Sequence, residues 1–319
     1  MDLSRIHTLA QAIKRNVQQV IVGKDDTLDR IFVALFTGGH VLLEDVPGTG
    51  KTLLAKSIAK SIDGTFKRIQ FTPDLLPTDL SGMNVYNQKR GEFEFRPGPV
   101  FTNLLLADEI NRATPRTQSS LLECMEERQV SIDGVTMQLE EPFIVLATQN
   151  PLDNFGTFPL PEAQLDRFML KLKLGYPTFE EGLRILSRFR TEDPIQELAP
   201  VATREDIKAA RAGYTRVHVD DAILEYVLGI VERTRSHPDI ALGASPRASQ
   251  ALLRAVQAFA VIRGRDYVSP DDVKAMAAPV LAHRLLLHHA AGSRDDQAES
   301  VLAQIVCQVP VPAEARAAE

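Results

Sequence analysis

Apolar positions at Leu3, Ile6, Leu9, Ala10, Ile13, Val17 and Val20 recur at the three- and four-residue spacing of a helix, and the spacing fails at Ile21-Val22-Gly23-Lys24. A second helix is predicted over about 26 to 37, ended by Gly38-Gly39. Val41-Leu42-Leu43 then reads as a strand, Glu44 to Gly50 as a turn-rich loop, and Lys51-Thr52-Leu53-Leu54-Ala55-Lys56 as the start of a helix. Asp63-Gly64 closes that helix and Arg68-Ile69-Gln70-Phe71 is a short strand, so the order is β, α, β.

Residues 72 to 100 are rich in Pro and Gly. Within them Met83 to Gln88 and Glu92 to Arg96 flank Lys89-Arg90-Gly91, which predicts an inserted hairpin over about 83–96. Asn103-Leu104-Leu105-Leu106-Ala107-Asp108-Glu109 is a continuous apolar run ending in two carboxylates, as in a buried parallel strand. A helix from about Pro115 to Glu127 leads to a second hairpin at about 129–138, whose Asp133-Gly134 is a strong turn signal. Phe143 to Thr148 is another apolar strand, and the alternating Met169 to Leu174 reads as an edge strand. Strands alternating with helices predict an α/β fold with a mostly parallel sheet covered on both faces.

From Pro177 the pattern changes. Thr178 to Glu181, Thr203 to Asp206 and Ser269 to Asp272 have capping-box spacing, and Ser245-Pro246 places an N-cap before a Pro at the first helical position. The expected organisation is an α/β domain over 1–176, a small all-helical domain over 177–310 and a tail over 311–319. No internal repeat is present.

A chain of 319 residues supports two units with a substantial core. Hydrophobic content of 44% with 24% charged residues is ordinary for a globular protein, and no apolar run is long enough to span a bilayer. The start lacks a signal-peptide pattern, so the chain reads as cytoplasmic. Cys124 and Cys307 lie in apolar helical contexts and are expected to be buried free thiols. A net charge of −6 supplies no overall basic field for nucleic acid.

The segment from Glu44 to Thr52 can hold a phosphate. Loop N–H groups and the positive end of a helix converge there, Lys51 adds a cation and the Thr52 hydroxyl can reach Mg²⁺. Asp45 stands where the pattern GxxxxGK[ST] has its first Gly. Asp108, at the end of a parallel strand, can approach the metal and leave Glu109 to polarise water, against the ordinary alternative of a solvated acidic strand end. Asn150 could orient water and γ-phosphate through its amide or could simply open a turn before Pro151. Arg167, ahead of the edge strand, could reach a neighbouring subunit's nucleotide, and Arg247, at a helix start, could point at a γ-phosphate; for both, a surface position is the plainer alternative. Arg112 is a third interface candidate. His283, His288 and His289 match no complete ligand set, and no GxSxG pattern occurs.

In order, these residues resemble an AAA+ ATPase. More narrowly, Glu44 to Thr52, Phe71 to Pro77, Asp108 to Ala113, Ala147 to Pro151 and Leu160 to Phe168 resemble the MoxR family, over about residues 10 to 310. The resemblance implies a P-loop core and a helical lid, with ATP and Mg²⁺ as cofactors. It makes Pro47, Gly48, Thr49, Gly50, Lys51, Thr52 and Leu53 the nucleotide loop, with Ile21, Val22 and Gly23 packed against adenine. Thr52 and Asp108 become metal-coordinating, Glu109 the catalytic acid, Asn150 the first sensor, Arg167 the trans-acting finger and Arg247 the second sensor. The hairpins match inserts that project toward a ring pore. The resemblance also implies a homo-oligomer, a hexameric ring, that works with a von Willebrand factor A domain partner to mature a client protein complex, often by helping metal or cofactor insertion. A nucleic-acid motor of the same superfamily is disfavoured because the tip Ile132-Asp133-Gly134-Val135 carries no Lys or Arg. A non-hydrolysing scaffold is disfavoured because Lys51 and Glu109 are both present.

Overall fold

The computed structural model describes residues 1–44, 46, 48–150, 156–189, 194–288 and 294–312. Two helices, α1 (Leu3–Gln18) and α2 (Asp25–Thr37), precede β1 (Val41–Glu44) and α3 (Lys51–Ser61), and β2 (Phe66–Gln70) follows. A short α4 (Pro77–Ser81) introduces the hairpin β3 (Gly82–Asn87) and β4 (Glu92–Pro97). The chain continues through β5 (Leu104–Asp108), α5 (Pro115–Glu127), the second hairpin β6 (Gln129–Ile132) and β7 (Val135–Gln138), β8 (Ile144–Gln149), α6 (Glu162–Leu165) and β9 (Leu170–Leu172).

Five strands form one parallel sheet in the order β2-β5-β8-β1-β9. Its central strands are apolar at successive positions because both faces are covered. Leu104 and Leu106 join one core layer with Val41, Leu43, Ile144 and Leu146, while Leu105, Ala107, Val145, Ala147 and Leu42 join the other. This two-residue alternation splits each strand between two apolar layers. The expected edge strand at 169–174 is at the edge, shortened to three residues. Both hairpins stand outside the sheet as separate two-stranded units. Asn84 in the first donates to Asp133 in the turn of the second at 2.6 Å, which ties them together.

The second half contains α7 (Phe179–Arg188), α8 (Pro194–Glu197), α9 (Arg204–Arg211), α10 (Asp221–Ser236), β10 (Ile240–Leu242), α11 (Pro246–Ile262), α12 (Pro270–Leu281), β11 (Leu286–Leu287) and α13 (Arg294–Gln308). Thr178, Thr203, Ser245 and Ser269 each accept a backbone N–H at a helix start, as their spacing predicts. Helix α11 packs against α1 and α2, and one apolar cluster runs from these helices through the sheet into α10, α11 and α12. The expectation of two buried thiols is half right. Cys124 is buried, and burial pushes its thiol up to about 12, whereas Cys307 is exposed near the end of α13.

His40 locks the amino end of β1. Its Nδ1 accepts from the Val145 N–H at 2.9 Å, so Nε2 carries the proton donated to the Met125 carbonyl at 3.0 Å. Burial, followed by the charges of Arg128 and Arg211, pushes its pKa down to about 3. The unfolded chain binds a proton there below its ordinary value of 6.5 and the folded chain does not, so this residue's contribution to stability is lost as pH falls from 6.5 toward 3. At one unit below 6.5 the loss is about 1.4 kcal/mol. Urea unfolding at pH 7.5 and 5.5 should show that loss in the wild type and a smaller one in His40→Gln, whose amide can make both hydrogen bonds without titrating; equal losses would contradict the assignment.

Candidate active site

The loop after β1 turns directly into α3. Gly48 and Gly50 have φ of 85° and 88°, a left-handed backbone that glycine adopts without strain. Gly50 is the N-cap of α3, and Lys51 and Thr52 are its first residues. The first turn of any helix leaves N–H groups without intrahelical acceptors, and they point out of its positive end. Lys51 Nζ donates to the Val46 carbonyl at 3.2 Å, so the cation is drawn back over the loop. At the root of the loop, Glu44 pairs with Lys171 of β9 at 3.1 Å, both largely buried, which ties the loop to the sheet edge. Asp45 and Pro47 lie outside the described residues.

Asp108 ends β5 and Glu109 directly follows it, two strands from β1 with β8 between them. Thr148 of β8 joins them: its hydroxyl donates to Asp108 Oδ1 at 2.5 Å and accepts the Glu109 N–H at 2.8 Å. Glu109 has φ of 56°, an uncommon backbone for a residue with a side chain and one that concentrates at functional sites. Gln70 Nε2 donates to Glu109 Oε2 at 2.7 Å, and Arg112 Nε lies 3.1 Å from the same oxygen. Arg68 reaches Asp108 Oδ2 through Nη2 at 2.6 Å. Asn150 directly follows β8, whose Gln149 is in register with Glu44 of β1. The parallel sheet thus brings the loop, the acidic pair and Asn150 to its carboxyl edge, the edge where ligands bind in open α/β sheets. Pro151 lies outside the described residues.

An apolar cavity of about 160 Å³ adjoins the loop. Val22, Ile21, Leu53, Leu174, Ile185 and Phe189 line it together with Gly48, Thr49 and Gly50. A flat apolar ring would fit against these side chains with its phosphates on the glycines. Gly23 is not in that lining. It has φ of 70°, and a Cβ built on it would fall 2.1 Å from Glu181 Oε1, so its smallness serves the approach of α7.

Arg167 and Arg247 sit elsewhere. Both are turned to Glu126, the next-to-last residue of α5: Arg167 Nε lies 3.1 Å from Oε2 and Arg247 Nη1 3.0 Å from Oε1. Their cavity is also lined by Gly38, Gly39 and His40, the residues that lead into β1. The loop follows the other end of that strand, about 13 Å away at 3.3 Å per residue. Arg247 therefore does not face this chain's own loop and shares a surface with Arg167 at the opposite edge of the sheet.

Residues 40–170 match the model of the ATPase family associated with various cellular activities (AAA), and residues 232–305 match the AAA lid domain. Chaperone MoxR1 of Mycobacterium tuberculosis is 43% identical over 97% of this chain and 84% of its own length. The chain belongs to the MoxR family of AAA+ ATPases. Protein MoxR of Methylorubrum extorquens is 32% identical over 95% of each chain, and the uncharacterized protein YeaC of Bacillus subtilis is 51% identical over 96% of each. A crystal structure of a candidate ATPase from Cytophaga hutchinsonii superposes with a TM-score of 0.89 at 39% identity, covering 97% of this chain and 96% of that one. The MoxR-family fold is thus an AAA parallel sheet flanked by helices, with a lid domain.

Sequence reasoning did not find Thr148, Gln70, Arg68 or Glu126. A polar Thr in the buried run Leu146-Ala147-Thr148 was a usable signal, as was the exposed alternation of Arg68 and Gln70 along β2. Among the described residues no three His, Cys, Asp or Glu side chains gather into a metal cluster. His283 is buried with Nε2 against the Phe168 carbonyl at 3.0 Å, and His289 lies outside the described residues. No described helix is long and apolar enough to cross a membrane.

Proposed function

We propose that this MoxR-family protein hydrolyses ATP at sites composed between adjacent protomers of a ring, and uses the cycle as a chaperone that remodels or matures a client complex. The observation that carries the reading is the acidic pair Asp108-Glu109, latched by Thr148 beside the glycine loop and the start of α3. The loop N–H groups and Lys51 hold the β- and γ-phosphates, and the apolar cavity around Val22 and Leu53 holds the base.

Thr52 and Asp108 are oxygen donors, the kind Mg²⁺ takes together with phosphate oxygens, so they fit the cofactor that the family implies. When bound, Mg²⁺ neutralises charge on the transferring phosphate. Glu109 orients and deprotonates the attacking water, and Asn150 directs its amide at the γ-phosphate. Arg167 and Arg247, gathered at the opposite edge of the sheet, reach the nucleotide of the next protomer and stabilise charge in its transition state.

A hexameric ring, a von Willebrand factor A domain partner, a cytoplasmic location and metal or cofactor insertion into the client belong to the same reading. Lys51→Ala tests the base of the scheme. Removal of the loop cation should weaken ATP binding at least about tenfold, the scale of a lost charge-assisted contact. Titration with a fluorescent ATP analogue reads this out, and wild-type affinity would argue against the assigned loop. Capture on Glu109→Gln held with ATP should retain the client.

A further inference from the structure

Glu126 sits where its own helix disfavours it. The last turn of α5 holds Glu126 and Glu127 and no basic residue, so the carboxylate faces the negative end of the helix dipole. What holds it is the pair of arginines, one on each oxygen, at 3.1 Å from Arg167 and 3.0 Å from Arg247. They arrive from different elements, the turn before β9 and the first turn of α11. The cavity of about 520 Å³ around them is strongly basic. Arg284 there pairs with Asp166 at 2.8 Å, and Arg128 pairs with Glu141 at 2.8 Å, which leaves Glu126 as the carboxylate between Arg167 and Arg247. All three side chains are partly exposed, at 33% for Glu126, 31% for Arg167 and 53% for Arg247. Ion pairs of that exposure are weak, and a phosphate offers more charge and more acceptors than one carboxylate.

We propose that Glu126 is a positioning residue, a clasp that keeps Arg167 and Arg247 side by side until the γ-phosphate of a neighbouring protomer's ATP takes them over. The inference rests on the composite-site reading above. Glu126 competes with ATP for the arginines, so its charge sets the ATP concentration at which the assembly fires.

The test is steady-state ATP hydrolysis by the full-length assembled protein. In Glu126→Gln the half-saturating ATP concentration should fall by about threefold, the scale of one partly exposed ion pair, and the dependence on ATP should become less cooperative. Maximal turnover should change far less than in Arg167→Ala. Glu126→Asp keeps the charge but spans the two arginines poorly, so its half-saturating concentration should lie between those of Gln and wild type. An unchanged or raised half-saturating concentration in Glu126→Gln overturns the clasp, as does loss of turnover in both variants with assembly intact. If Glu126→Gln fails to assemble, the Asp variant decides: a lowered value supports the clasp and a wild-type value overturns it. Arg167→Ala and Arg247→Ala run in the same assay separate the two levels, because wild-type turnover in either shows that the composite-site reading has failed, whatever Glu126 does.

Discussion

Arg167→Ala should leave ATP binding near wild type and lower steady-state turnover by about three orders of magnitude or more. The two effects separate because Arg167 lies at the edge of the sheet opposite the loop that would hold this chain's ATP. Its loss therefore removes no contact to the nucleotide bound in the same protomer. An arginine that meets the γ-phosphate in the transition state is worth about 10³ to 10⁵ in rate, since its charge is already in place when charge shifts on the phosphate. Equilibrium binding of a fluorescent ATP analogue and phosphate release, measured on one preparation, distinguish the outcomes. Turnover at the wild-type rate would remove Arg167 from the site, and loss of binding in parallel would indicate a structural role.

Glu109→Gln should bind ATP as tightly as wild type and hydrolyse it about 10² to 10⁴ times more slowly, the usual contribution of a positioned general base. That range equals about 3 to 5.5 kcal/mol of barrier. The substitution preserves shape and can keep the contact from Gln70, so the Thr148 latch on the backbone remains. What it removes is the carboxylate able to take a proton from water. Single-turnover hydrolysis of radiolabelled ATP measures the chemical step apart from product release. A single-turnover rate within threefold of wild type would show that another group activates the water.

Much of the architecture is legible in the chain because local physics and the final fold agree. The runs Leu104 to Ala107 and Ile144 to Ala147 are apolar at every position because two helical layers cover the sheet. Asp133-Gly134 and Lys89-Arg90-Gly91 mark the hairpins because their turns need residues tolerant of left-handed backbone, and Gly134 and Gly91 have φ of 81° and 70°. The loop and the acidic pair are legible for a related reason: strand, loop and helix are contiguous, and the parallel register carries Asp108 to the same edge as Glu44. The arrangement of the arginines is not legible in that way. Arg247 meets Glu126 across 121 residues, and only the packing of α11 against α1 and α2 determines which edge of the sheet it occupies. Thr148 is missed because its work is relational, and a Thr in a strand looks like any other β-former until β8 is placed beside β5. Cys307 is misjudged because the buried apolar face of α13 belongs to Ala298, Val301, Leu302 and Ile305.

The central claim is that each ATP site needs two protomers, one supplying the loop and one supplying the arginines. Mixing Lys51→Ala chains with Arg167→Ala chains tests it most directly, since the first keeps the arginines and the second keeps the loop. Each variant alone should be nearly inactive. Mixtures should recover phosphate release that peaks near equal amounts of the two, because an Arg167→Ala protomer beside a Lys51→Ala protomer forms one intact site. Mixtures no more active than the sum of their parts, under conditions where the chains co-assemble, would contradict the account.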